Sequence, residues 1–313
     1  MTSGAGPGSP QFRRAHVVAA FAAVYVVWGS TYLAIRYAVE TIPPFLMVGA
    51  RFLVSGAILY VWARWRGARR PPAAEWRDAA IAGVLMLCFG NGAVSWSEQR
   101  VPSGLAALLV AVVPLWVVII DWLRPHGSRP RARVVLGVAL GLAGLLLLVG
   151  PGTLLGHGSI DTTAVVVLMA GSLFWAAGSV YNRYGRRPAS SAMSTGLQML
   201  SGSAALILLG ISRGELRDLR VHDISAASWT GWIYLVTFGS LIGFTAYIYL
   251  LQAVTPAKAS TYAYVNPVVA VFLGWAIAGE RVSGRTIGAA CVILAGVALI
   301  TLAQTSNRAR ASA

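Results

Sequence analysis

The sequence predicts an all-α integral membrane protein whose ten transmembrane helices form two inverted five-helix repeats, and three observations carry that prediction. Of the 313 residues, 57% are hydrophobic and only 11% are charged, and a mean hydropathy of +0.69 is far above that of a soluble domain. The apolar residues gather into runs of about 20, the length that a bilayer core demands. The chain also matches itself at a constant spacing: Gln252, Val254, Pro267 and Gly243 each stand 153 positions after Gln99, Val101, Pro114 and Gly90.

In order, residues 1–14 are rich in Gly, Ser and Pro and predict a disordered cytoplasmic tail. Arg13 and Arg14 precede an apolar run, as in an export signal, but the polytopic pattern that follows favours a first membrane helix. That helix is expected over His16–Ile35, followed by Pro44–Ala63, Ala79–Trp96, Ser103–Leu123 and Val134–Gly150, which makes residues 15–150 the first repeat. A linker at 151–162 leads to the second repeat at 163–303. Its spans are expected over Thr163–Tyr181, Ala192–Ile211, Thr230–Leu251, Ala257–Ala278 and Gly284–Ala303, and residues 304–313 form a second cytoplasmic tail.

A net charge of +15 would suggest nucleic acid in a soluble protein, but the cations sort by loop. Seventeen Lys and Arg fall on the side of the chain termini and seven on the other, which by the positive-inside rule makes both termini cytoplasmic and leaves no case for nucleic acid. Cys88 and Cys291 lie inside apolar runs and act as small apolar fillers. His16, His126, His157 and His222 sit in loops or at span ends without metal-ligand spacing. With no phosphate loop either, we expect no enzyme activity, no cofactor and no metal; a membrane-embedded transferase is the alternative of another class.

The repeat extends beyond its first matches. Trp28 precedes Arg36-Tyr37 by the same eight residues that separate Trp175 from Arg183-Tyr184, and Ser55-Gly56 matches Ser201-Gly202. A repeat of five spans is odd, so the second copy enters the membrane inverted, a device of secondary transporters. The run Val27-Trp28-Gly29-Ser30, Ala50-Arg51-Phe52, the Pro102–Pro114 segment, Phe174-Trp175, Thr255-Pro256-Ala257, Asn266-Pro267 and Gly279-Glu280-Arg281 resembles the EamA-type permeases of the drug/metabolite transporter superfamily. The resemblance covers nearly everything from His16 to Ala303. It implies a multi-pass permease of a bacterial-type inner membrane with a central cavity, usually an exporter of amino acids or related metabolites. A passive facilitator or a multidrug exporter are the alternatives within transport.

Polar and aromatic residues inside the spans mark the expected cavity, since lipid has no use for them. Trp28 and Tyr32 share a face of the first helix, Trp175 and Ser179 one of the sixth, and Tyr262 and Asn266 one of the ninth; rings of this kind suit amine-bearing or planar solutes. In the third helix Cys88, Asn91, Ser95 and Glu98 fall on one face, while the repeat offers Gly92, Trp96 and Gln99 as a competing face. Polarity favours Asn91 and Ser95 as lining, with Glu98 as the one carboxyl placed to carry a coupling proton. Arg51, roughly 10 Å inside the second span at 1.5 Å per residue, contacts an anion or ties structurally to Glu40 or Glu98. Pro114 and Pro267 each remove a backbone donor within a span and serve as hinges. Glycines 137, 141, 144, 288 and 296 predict close helix packing, as a scaffold or a homodimer face. Glu280 is expected to pair with Arg281 or Arg285.

Overall fold

The computed structural model describes residues 14–124, 132–149, 161–186, 188, 190–254, 259–260 and 262–311. Long helices follow one another: α1 Arg14–Ala38, α2 Pro44–Trp65, α3 Ala73–Ser97, α4 Ser103–Leu123, α5 Ala132–Val149, α6 Thr162–Tyr184, α7 Ser191–Ser212, α8 Ala226–Ala253, α9 Tyr262–Ala278 and α10 Gly284–Ala311. Among the described residues there is no strand. Seven of these helices, α1–α4 and α6–α8, are long and apolar enough to cross a membrane; α9 and α10 contain the shorter apolar stretches Val265–Ala278 and Gly284–Gly296. Their outward side chains, among them Val26, Val61 and Leu208, are exposed and apolar, as a lipid-facing surface requires.

The expected spans differ from the helices mainly at their ends. α3 starts six residues before Ala79, because its charged first turns find partners: Asp78 accepts from Arg77 Nε (3.0 Å), from the Tyr181 hydroxyl (3.2 Å) and from the Arg186 amide (2.8 Å). α10 continues past Ala303 to Ala311 and takes up most of the expected tail at 304–313. Of the expected tail at 1–14 only Arg14 is described, as the first residue of α1, and of the expected linker at 151–162 only residues 161 and 162; Thr255–Lys258 of the turn before α9 also lie outside the described residues.

Among the described residues four helices carry local N-caps, one of them α10, where Ser283 accepts from the Thr286 amide (3.1 Å). Asp161 accepts from the Thr163 and Ala164 amides in α6, Ser190 from Met193 in α7, and Ser225 from Ser228 in α8. α2 and α4 begin after Pro43 and Pro102, which have no side chain to offer, and each borrows a distant carboxylate. Glu215 accepts from the Phe45 and Leu46 amides (3.2 and 2.8 Å). Glu280 accepts from the Ser103 amide (2.9 Å), the Ser103 hydroxyl (2.8 Å) and the Gly104 amide (3.2 Å), with Arg36 Nε 3.7 Å away. These are favourable places for anions at helix N-termini, and Glu280 therefore pairs with α4 and Arg36 instead of Arg281 or Arg285. Burial nevertheless pushes the Glu215 carboxyl above the usual carboxylate range, against the lowering pull of its two amides.

Close packing without water relies on small residues. α2 runs along α7, where a Cβ at Gly56 would stand 2.9 Å from Met199 Cβ. α5 runs along α10, where a Cβ at Gly144 would meet Ile293 at 2.8 Å and one at Gly296 the Gly137 carbonyl at 2.6 Å. Gly288 differs from the others expected to pack, with nothing described within 4 Å of it. α1 lies against α8 and α9, while α6 lies against α3 and α4. Two helices change pitch midway: Val84–Asn91 of α3 and Leu235–Phe244 of α8 are π-helical, a form that recurs at functional sites.

Candidate functional site

A cavity opens where α1, α2, α3, α4, α6, α8 and α9 converge. Its wall includes Trp28, Thr31, Tyr32 and Ile35 from α1, Arg51 and Phe52 from α2, and Gly90, Asn91 and Val94 from α3. Val110 of α4, Gly171, Ser172 and Trp175 of α6, Phe244 of α8, and Tyr262 and Asn266 of α9 complete it. About 70 Å³ of it is open to water-sized occupants, room for roughly five waters at about 15 Å³ each. Trp28, Tyr32, Asn91, Trp175, Tyr262, Asn266 and Arg51, all expected at the site, meet there.

Trp28 is the centre of the floor. Its ring lies 4.9 Å from Tyr247, 5.1 Å from Tyr262, 5.5 Å from Trp175 and 6.2 Å from Phe244, with near-perpendicular contacts to Tyr262 and Trp175. Edge-to-face pairs of this kind add about 0.5–1.5 kcal/mol each beyond area burial. The lining residues of α1 and α3 run from this cluster toward the face that carries the α1–α2 turn. Tyr247, buried and outside the lining, seals the opposite side, and its hydroxyl shares a hydrogen bond of 3.0 Å with Ser179.

Two glycines of the π-helical part of α8 make room for this arrangement. A Cβ at Gly243 would stand 2.5 Å from Trp28 Nε1, and one at Gly239 would stand 2.8 Å from an Arg51 Nη. Trp28 Nε1 donates to the Gly239 carbonyl (3.1 Å). In the first half Gly90, in the π-helical part of α3, faces Trp175 at 3.0 Å in the same way. Asn266, with its amide nitrogen turned toward them, donates to the carbonyls of Tyr262 and Tyr25 (3.2 Å each) and ties α9 to α1.

Arg51 is 4% exposed and donates through Nε to the Ser240 hydroxyl (2.7 Å), with its guanidinium 4.8 Å from the Phe52 ring centre. Neither Glu40 nor Glu98 pairs with it. No carboxylate is among the lining residues, and Arg51 Nη1 is enclosed without an acceptor.

The other expected residues stand elsewhere. Ser95 is fully buried away from the cavity, and Ser179 serves as the Tyr247 partner and bonds the Trp175 carbonyl. Glu98 is 1% exposed beyond the end of α3. The polar stripe of α3 splits because the π-helical turn shifts the 3.6-residue period: Asn91 reaches the cavity, whereas Cys88 turns to an outer groove shared with Trp96 and Phe45. Of the competing face, none of Gly92, Trp96 and Gln99 lines the cavity. Pro114 follows a break in α4 at Ala111–Val112, but Pro267 lies in an unbroken helix. Thr31, Ser172, Ser240 and Gly239 were not singled out by sequence; only their small size inside apolar runs could have marked them. Among the described residues no group of His, Cys, Asp or Glu could hold a metal.

Comparison with known proteins agrees with this architecture. The family model described as the EamA-like transporter family matches residues 15–150 and 162–302. The chain is 40% identical over 281 residues to an uncharacterized inner membrane transporter, YedA, of Escherichia coli K12, covering 90% of this chain and 89% of that one. It is 26% identical over 292 residues to a probable terminal-alkyne amino-acid exporter of Streptantibioticus cattleyicolor, covering 92% and 94%. A solved crystal structure superposes with a TM-score of 0.67 at 23% identity, over 93% of this chain and 99% of that one, and so shares the fold.

Proposed function

This chain belongs to the EamA-like transporter family of multi-pass membrane proteins, and on that premise we propose that it exports amino acids or related small amine-bearing metabolites by alternating access. The observation that carries the reading is an aromatic-walled cavity between α1 and α6, floored by Trp28 and Trp175, with Arg51, Asn91 and Asn266 as polar groups in its lining. The amino-acid class is supported by the exporter from Streptantibioticus. In this reading α1–α5 and α6–α10 are inverted repeats spanning the membrane ten times. Support comes from matched pairs: Trp28 on Gly243 against Trp175 on Gly90, and α2 on α7 alongside α5 on α10. Both termini are cytoplasmic by the uneven distribution of Lys and Arg.

Two further parts of the proposal have their own supports. Proton coupling would use Glu98, buried in the field of Glu280 and Arg36. A homodimer would use the face around Gly288, because Gly296 is already occupied by α5; oxidative cross-linking through the exposed Cys291 tests it.

The deciding experiment is a proteoliposome flux screen across amino acids, amines and nucleosides, with and without a pH gradient. Flux of an amino acid in wild type, reduced by Asn266→Ala and unchanged by Trp62→Ala, is the expected result; Trp62 is half exposed and remote from the cavity. No flux of any class, together with turnover of a lipid-linked substrate, would point to a transferase instead.

A further inference from the structure

We infer that the cavity recognises its solute by a carboxylate, which docks on the guanidinium of Arg51, and not by the amine. The inference rests on the transport reading above and sharpens its substrate class. An arginine inside the membrane is costly unless it pairs, snorkels or faces water. Arg51 is 96% buried, since only 4% of it is exposed, which excludes snorkelling. Its charge also goes unmatched: the one hydroxyl it meets is Ser240, Nη1 has no acceptor, and no carboxylate lines the cavity.

The site therefore holds a fixed positive charge and an incomplete set of acceptors for it. A planar guanidinium is built to receive a carboxylate through two parallel N–H bonds. The geometry around it keeps the fork in place. Ser240 fixes Nε, the Phe52 ring lies alongside, and Gly239 lets the group approach the α8 backbone. Trp28, Trp175 and Tyr262 then face an apolar side chain. An ammonium group finds ring faces but no counter-charge among the lining residues, so it is tolerated more than required. This reverses the weight that the aromatic residues alone would give to amines.

The test uses purified protein in detergent and the probes L-alanine, L-leucine and L-phenylalanine, each beside its carboxamide and its decarboxylated amine. Heat-unfolding midpoints are read at increasing probe concentration. At least one acid is expected to raise the midpoint in wild type, with its carboxamide and amine ineffective. Arg51→Gln should raise the half-saturating concentration about 10- to 100-fold, the size of one charge-assisted hydrogen-bond loss. Equal protection by amide or amine, absence of protection by all three acids, or unchanged binding in Arg51→Gln each overturns the inference. Arg51→Lys keeps the charge without the fork and is expected to fall between; if Arg51→Gln does not fold, the wild-type comparison of acid and carboxamide decides alone. Carboxylate-selective binding without flux of any solute removes the exporter reading and leaves this site. Flux of amines and carboxamides equal to that of acids removes the site and leaves the exporter.

Discussion

Replacing Gly243 by alanine would test the floor of the cavity directly. The new Cβ would lie 2.5 Å from Trp28 Nε1 and 2.7 Å from Cδ1, about 1 Å inside the optimum for carbon contacts. Trp28 cannot retreat, because Tyr247, Tyr262, Trp175 and Phe244 surround it. Overpacking of this kind costs about 1–3 kcal/mol, and displacing Nε1 from the Gly239 carbonyl about 1 kcal/mol more. Alanine recovers about 1 kcal/mol as the better helix former, which leaves a net loss of about 1–3 kcal/mol. Gly90→Ala makes the informative control. Its Cβ would meet Trp175 at 3.0 and 3.4 Å, a contact that a small shift relieves, so the helix gain should leave it near neutral. Heat unfolding in detergent, followed by circular dichroism, should place Gly243→Ala clearly below wild type and Gly90→Ala close to it. Adding Trp28→Leu to Gly243→Ala should recover part of the loss. If the two glycine variants melt together, Trp28 does not occupy the Gly243 notch and the floor is wrongly drawn.

Glu280→Gln should lower stability by about 1–2 kcal/mol in the same assay, as expected for a weakened cap, because Ser103 and Gly104 lose a charged acceptor; an unchanged midpoint would remove its role at α4. Glu215 should make stability depend on pH. Burial raises its folded pKa above 4.5, so the folded chain holds this proton more tightly than the unfolded one. Its contribution is present below the unfolded value of about 4.3 and is lost as pH rises through the folded value; Glu215→Gln should flatten the wild-type melting profile over that window.

Helices α1–α4 and α6–α8 were readable because each is a long apolar run, and Trp28, Asn91, Trp175, Tyr262 and Asn266 as cavity candidates because lipid gives such side chains no partner. Arg51 was readable for the same reason, but its partner was not: Ser240 lies 189 positions away and looks like any small residue in a span. The split of the α3 stripe was hidden by the assumption of a uniform 3.6-residue period, which Val84–Asn91 does not keep. Glu280 was drawn to the nearest cations in sequence, whereas the unsatisfied amides of α4 exert the stronger claim. Trp62 and Trp65 lie exposed on the surface, whereas Trp232 Nε1 donates to the Met47 carbonyl (3.2 Å) and packs α8 on α2.

The position of α1 bears on how the chain is made. Its polar contacts run to helices synthesised much later: Trp28 to the Gly239 carbonyl, Ser30 to the Tyr234 hydroxyl (2.6 Å), and the Tyr37 carbonyl to the Ser228 hydroxyl (2.7 Å), while Gly29 lies against Val269 of α9. As it leaves the ribosome, α1 must wait about 200 residues of translation for those partners, with α2 likewise waiting for α7. Each first helix packs mainly on the other half, α1 on α8 and α9 and α6 on α3 and α4, so each fragment expressed alone should be degraded or misassembled. Co-expression of the two fragments should restore a folded complex.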